Sequence, residues 1–334
     1  MKKHLLPEGG NFYKVNLHCH TTISDGKLSP SEVKEIYRSL GYSAVCYTDH
    51  DVLIGHKDLC DDTFIALHGY EVAIKKDLHK HTSYLMPVYH FNFIAEDQNN
   101  LCMPKCFVNN PSFAGDAENW FRKHGIFDKN DTIDTVKYDI EWLNTYLPAV
   151  RDAGFLITYN HPQWSLQSSV DYLGLKGLHA IETMNSGCFD LGDCTTMHFR
   201  TMLRHGMNVV PVGGDDNHSE KEIGKSWTMI KAPELSYDAL ITAYKNGDSY
   251  ASTGAEIQEL YIEDGKVFIK TSPASVIILR GEGRYIAKVL DTSFAEFTLD
   301  PKRIGKYFTI EVKANDEAVA FTRAYRFEEF NQYL

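Results

Sequence analysis

The sequence has little of what ties a chain to nucleic acid, to a membrane or to an oxidising compartment. Lysine and arginine number 34 against 45 acidic residues, a net charge of −11, and the pI is near 5.7. A surface that coats nucleic acid needs a basic excess, so extended nucleic-acid binding is not expected. A small anionic substrate stays open, because bound cations reverse the field locally. No apolar run reaches the length of a membrane span. The apolar part of "MKKHLLPEGGNFYK" is too short for a signal peptide, and the expected location is the cytoplasm. Cysteines are few, at 19, 46, 60, 102, 106, 188 and 194. That odd, scattered set suits free thiols rather than a disulfide framework. Neither Cys102 with Cys106 nor Cys188 with Cys194 has the spacing of a zinc knuckle. There is no Walker-type phosphate loop and no GxSxG nucleophile elbow.

What is present is a globular composition, 334 residues with 43% hydrophobic and 24% charged. Up to about Gly254, short apolar runs alternate with helix-like stretches. "FYKVNLHCH" reads as a strand, "SPSEVKEIYRSLG" as a helix capped by Ser29 or Ser31 and stopped at Gly41, and "YSAVCYTDH" as a strand. "FLITYNHP", "LHAIETMN" and "MNVVPVGGDDNH" follow as strands between helical segments, and the polar interval 96–129 reads as an insertion. Repeated strand–helix units predict a mostly parallel α/β sheet, open or closed into a barrel. After Gly254 the pattern changes to period two, with hairpin signals at "EDG" and "GEG". The expected division is 1–254 as an α/β unit and 255–334 as a small antiparallel β-sandwich. That second part is expected to cap the first, narrow a pocket or mediate self-association as a homo-oligomer.

Imidazoles and carboxylates gather at the predicted strand ends. His18 and His20 are two apart and face one side of an extended segment. Asp25 follows in "SDG", a turn that returns its carboxylate. "YTDHD" supplies Asp49, His50 and Asp51; "GYEV" supplies Glu71; "YHFNF" supplies His90; "NHP" supplies His161; "GGDDNH" supplies Asp215, Asp216 and His218. Parallel α/β folds place ligand sites at this strand end. Each piece alone is weak, and His68, His124, His179, His198 and His205 read as ordinary core or loop histidines. The ordered combination points to a metal cluster. Asp216 is favoured over Asp215 because it stands two before His218. Asp49 and Asp51 read as turn acceptors, and Cys19 points into the core.

The order of "HCHTTISDG", "YTDHD", "GYEV", "YHFNF", "NHP" and "DDNH" resembles the PHP superfamily, named for polymerase and histidinol phosphatase domains. The resemblance covers roughly Val15 to His218. It implies a distorted (β/α)7 TIM-like barrel holding two or three divalent ions. It also implies one ion on His18, His20, Glu71 and Asp216, a second on Asp25, His50 and His218, and a third on Glu71, His90 and His161. "NHPQWS", "IETMN" and "SYASTGAEI" are similar to a subgroup that includes a carbaryl-type ester hydrolase. The interval 96–129 has no counterpart in the pattern, and His79 and His81 offer competing imidazoles near His90.

Mixed imidazole and carboxylate donors suit Zn²⁺, Mn²⁺ or Fe²⁺. Paired ions activate a water for in-line attack on phosphorus. The expectation is a metal-dependent phosphoesterase acting on a small phosphorylated metabolite or nucleotide, with Lys225 as a phosphate contact and Asp215 or His218 as proton donor. Arg200 and Arg204 read as a solvated helix face. The alternatives are a metallohydrolase of carboxyl or carbamate esters and a non-catalytic, metal-stabilised binding protein.

Overall fold

The computed structural model describes residues 2–76, 85–109 and 113–333. His79 and His81 therefore lie outside the described residues. Among the described residues the strands are β1 (Lys2–His4), β2 (Asn11–Asn16), β3 (Ala44–Tyr47), β4 (Ile65–Lys75), β5 (Val88–Ala95), β6 (Cys102–Met103), β7 (Ile126–Phe127), β8 (Phe155–Tyr159), β9 (Ala180–Asn185) and β10 (Val210–Gly214). They continue with β11 (Trp227–Ala232), β12 (Ser249–Ser252), β13 (Ile257–Glu263), β14 (Lys266–Gly281), β15 (Ile286–Thr298), β16 (Tyr307–Ala314), β17 (Val319–Thr322) and β18 (Tyr325–Arg326). One hydrogen-bonded sheet runs β1-β13-β14-β16-β17-β12-β11-β2-β3-β4-β5-β8-β9-β10, with β15 on β14 and β18 on β16.

The chain is a mixed α/β protein, as the alternation predicts. The pairs β2–β3, β3–β4, β8–β9 and β9–β10 are parallel. β5, however, runs antiparallel to both β4 and β8. β4 and β5 follow one another in the sequence, and consecutive antiparallel neighbours need no helical crossover. Among the described residues no ladder joins β10 back to β2 or β11. Isolated contacts span that gap: a bridge between Cys19 and Asn217, and the Gly213 N–H donating to Thr228 Oγ1 at 3.1 Å. The sheet is thus curved toward closure by isolated backbone and side-chain contacts, and a closed barrel is not delineated by its ladders.

Local chemistry sets the element ends. Ser29 caps the helix Pro30–Ser39 in a reciprocal capping box with Glu32, and Pro30 occupies the first turn. The helix Ile140–Asp152 starts where the Asp139 side chain accepts from the Trp142 N–H. Asp264 and Gly265 both have positive φ, the two-residue turn that suits the twist of the β13–β14 hairpin. β2 stops at Asn16, so His18 and His20 lie just beyond the strand rather than in it. No described helix is long and apolar enough to cross a membrane.

The core falls into packed clusters. One lies under β4, β5 and β8, with Tyr70, Phe91, Phe93, Leu147 and Phe155. Another joins Leu260, Ile269, Ile277, Leu279 and Ile310 of the C-terminal strands to Leu5 and Leu6. β1 is paired antiparallel to β13, which carries the first residues of the chain into the C-terminal strand system. The β12–β17 ladder makes the same connection from the other side.

Candidate metal centre

Glu71 is the middle of the site. It sits in β4, where alternation turns it away from Tyr70, whose ring packs edge-on against Phe93 and Phe155. Its Oε1 lies 3.0 Å from His90 Nδ1, 3.3 Å from His161 Nε2 and 3.4 Å from His18 Nε2. Its Oε2 lies 3.3 Å from both His20 Nε2 and His50 Nδ1. Burial alone would raise this carboxyl, but the charges of His90, His18 and His50 hold it well below its ordinary pKa.

Asp216 is the second carboxylate. Its Oδ1 stands 3.0 Å from His20 Nε2 and 3.3 Å from His18 Nε2, and its Oδ2 is 3.7 Å from His161 Nε2. The Nε2 atoms of His18 and His20 are themselves 3.1 Å apart. Yet Asp216 Oδ1 and His20 Nδ1 are buried without a hydrogen bond of acceptable geometry. Close donor atoms that do not bond one another, but converge on a common point, fit a shared cation.

A more open group lies at the mouth. Asp25 is 3.5 Å from His218 Nε2, 3.7 Å from His50 Nε2 and 3.8 Å from His20 Nδ1. Burial acts to raise the Asp25 carboxyl, but the hydrogen bond from His218 and the nearby His50 and His20 pull it well below the carboxylate range. His218 Nδ1 faces the backbone oxygen of Asp216 at 3.1 Å, which leaves Nε2 for Asp25. Asp25 and His218 are partly exposed, whereas His18, His20 and Glu71 are sealed.

All nine sequence-predicted ligand candidates meet here, in overlapping sets: His20, Asp25, His50 and His218; His18, His161 and Asp216; His18, His20 and Glu71; Glu71, His90 and His161. These buried clusters are compatible with a polynuclear metal site. The grouping differs from the one implied by the resemblance. His18 is shared between two triads, and His20 also reaches the mouth group. The donors are imidazole and carboxylate, with Cys19 turned into the core, so the residues fit a borderline divalent ion.

Supporting residues fix these side chains. Glu182 Oε1 accepts from His18 Nδ1 at 2.7 Å, while Oε2 accepts from the His161 N–H and from Asn185 Nδ2, both at 2.9 Å. Asn160 Nδ2 donates to Glu71 Oε1 at 2.7 Å. Asp49 accepts from Thr21 and Ser24, through both backbone N–H and hydroxyl groups, and so shapes the turn that carries Asp25. His161 and Asp216 have φ of 22° and 49°, left-handed values that cost a side-chain-bearing residue on the order of 1 kcal/mol or more. The His161 N–H donating to Glu182 and Asn185 Nδ2 donating to Asp216 hold the two in place. At Gly214 a Cβ would sit 2.9 Å from His18 Cβ, so glycine there is what lets β10 approach the ligand segment. The sequence reading missed Glu182 and Asn160 as supports, although "IETMN" and "YNHP" contain them.

Two candidates stand apart. Asp215 accepts from Tyr37 Oη, Ser186 Oγ and the N–H groups of Gly224, Lys225 and Ser226 at 2.7–3.1 Å. Both oxygens are occupied in fastening the 224–226 segment, so a role as proton donor does not fit it. Lys225 is held there by its backbone N–H, and its side chain is exposed.

No family model matches the chain, and no curated protein does. Solved structures do. A two-domain protein from Bacteroides vulgatus containing a predicted PHP-like metal-dependent phosphoesterase is 15% identical, with a TM-score of 0.43, over 97% of this chain and 98% of that one. A candidate metal-dependent phosphoesterase from Bifidobacterium adolescentis is 19% identical, with a TM-score of 0.39, over 64% and 89%. An amidohydrolase from Chromobacterium violaceum, with bound sulfate, is 18% identical, with a TM-score of 0.36, over 62% and 88%.

Proposed function

We propose that the protein is a metal-dependent phosphoesterase of the PHP type, acting on a small phosphorylated molecule. The observation that carries this reading is Glu71, one carboxylate ringed by His18, His20, His50, His90 and His161. A structural metal site is usually closed and holds one ion. This one spreads over four overlapping donor sets and opens at Asp25 and His218. Divalent ions held there would supply Lewis-acid polarisation of the phosphoryl oxygens and a water acidified toward neutrality.

The chain's own residues do the rest. His18, His20, Glu71 and Asp216 form the sealed floor. Asp25, His50 and His218 line the opening, and His90 and His161 complete the third side. As the P–O bond to the leaving group breaks, that oxygen takes a proton from solvent at the open mouth, because His218 Nδ1 faces the Asp216 carbonyl and its Nε2 belongs to the donor set with Asp25 and His50. Lys225 is the proposed cationic contact to the phosphate. In this reading residues 1–254 form the distorted (β/α)7 barrel unit that carries the chemistry, and 255–334 form a β-sandwich cover.

The test is hydrolysis by protein loaded separately with Mn²⁺, Zn²⁺ and Fe²⁺. p-Nitrophenyl phosphate should be cleaved, p-nitrophenyl acetate far less, and metal analysis should give two or more ions per chain. A single tight ion without hydrolysis would leave a structural role. Preference for the acetate would favour the carboxyl-ester reading. A panel of phosphorylated metabolites and nucleotides then narrows the substrate.

A further inference from the structure

Large apolar side chains are left in solvent in the segments that follow His161 and β9. Trp164, Leu166 and Leu191 are 37%, 53% and 56% exposed, the first two in the loop after His161 and the last at the end of the helical turn Ser186–Leu191. The loop after His161 is tied to the loop after β9 by Asp193, whose carboxylate accepts from the Gln163 N–H at 3.0 Å and the Trp164 N–H at 2.7 Å. It is tied to the start of β5 by the Val88 N–H donating to Ser165 O at 3.2 Å. The Trp164 indole is thereby set 5.3 Å from the His90 ring and 5.0 Å from the His161 ring, centroid to centroid. Both histidines face Glu71. One part of the indole touches the cluster and the rest faces water.

A half-exposed indole fixed by two backbone hydrogen bonds is not needed to close the core. Apolar surface continuous with a polar, ligand-rich cleft marks where an organic group rests. A flat ring beside the reacting centre favours a flat partner, in offset or edge-on contact. Deepening the phosphoesterase reading, on which it rests, we propose that Trp164 is a specificity-determining residue. It forms the wall against which the leaving group lies, and the substrate class is a phosphomonoester of an apolar, aromatic alcohol.

The test compares 1-naphthyl phosphate with glycerol 2-phosphate on the Mn²⁺-loaded full chain, for the parent protein, Trp164→Ala and Trp164→Phe. Trp164→Ala should lower the naphthyl-over-glycerol ratio of kcat/KM by about tenfold, mostly through KM, and Trp164→Phe should restore most of it. An unchanged ratio overturns the proposal while leaving the phosphoesterase reading standing. If the parent cleaves neither ester, that reading fails, and binding decides the wall separately. Calorimetric binding of 1-naphthol that Trp164→Ala abolishes upholds it; equal binding by parent and variant overturns it.

Discussion

Glu182 and His18 are joined by a 2.7 Å contact between Oε1 and Nδ1, with both side chains essentially sealed from water. The contact places the His18 proton on Nδ1 and turns Nε2 toward Glu71 and Asp216. Carboxylates behind metal-bound histidines fix the tautomer and raise ligand basicity. Glu182→Gln should therefore keep the fold, by circular dichroism, and lose about 10–100-fold in metal affinity, read by competition with a chromophoric chelator.

Glu71 has a different standing, because it faces five imidazoles at once. Glu71→Gln should reduce the metal content by at least one ion per chain, by elemental analysis. It should also depress hydrolysis beyond the roughly 10–100-fold expected for a supporting residue. Retained stoichiometry with retained activity would remove Glu71 from the centre.

Asp215 should behave as a fastener. Its five short hydrogen bonds link the helix Pro30–Ser39 through Tyr37 to Ser186 and to the 224–226 segment. Hydrogen bonds to a charged group contribute roughly 1.5–3 kcal/mol each, non-additively. Asp215→Ala should therefore cost at least about 3 kcal/mol in denaturant unfolding. A proton donor would give the opposite pattern, with intact stability and lost turnover.

Metal removal should make stability depend on alkaline pH. In the metal-free site burial opposes charge on His20, yet contacts with Asp216 and Glu71 raise it to about 10. His161 is raised to about 9, as burial is outweighed by the hydrogen bond to Glu71 and the charge of Asp216. A histidine that holds its proton more tightly when folded stabilises fully below the unfolded pKa of about 6.5 and loses that contribution as pH rises through 9 to 10. Chelator-treated protein should accordingly unfold more easily over that range. Because ligation needs the neutral ring, ion uptake should release protons and tighten with pH. Chelator competition at about pH 6 to about pH 9 measures it; pH-independent affinity would contradict the protonated site.

The ligand candidates were legible because their residue types are costly to bury without a purpose and because most stood just past predicted strands, although Glu71 and His90 lie within β4 and β5. Their grouping was not legible. Which atom of His18 or His20 faces which carboxylate depends on Glu182 and on left-handed backbone at His161 and Asp216, and neither leaves a periodic trace. Glu182 alternates with apolar neighbours like any half-buried strand residue. Asp215 and Asp216 are identical letters, and the choice between them rested on a spacing of two. The helix at Pro30 and the Asp264–Gly265 turn were readable because capping and positive-φ chemistry is local. The reversal of β5 was not, since strand direction is set by what connects and covers it.

The pairing of Lys2–His4 with Ile257–Glu263 also orders events on the ribosome. The opening strand waits for a partner made some 255 positions later, on the order of tens of seconds at ordinary elongation rates. Until then its unpaired edge, with Leu5 and Leu6 behind it, is open to chaperones and to other nascent chains. Displacing Lys2–His4 would therefore disturb β13 before it disturbed the metal ligands.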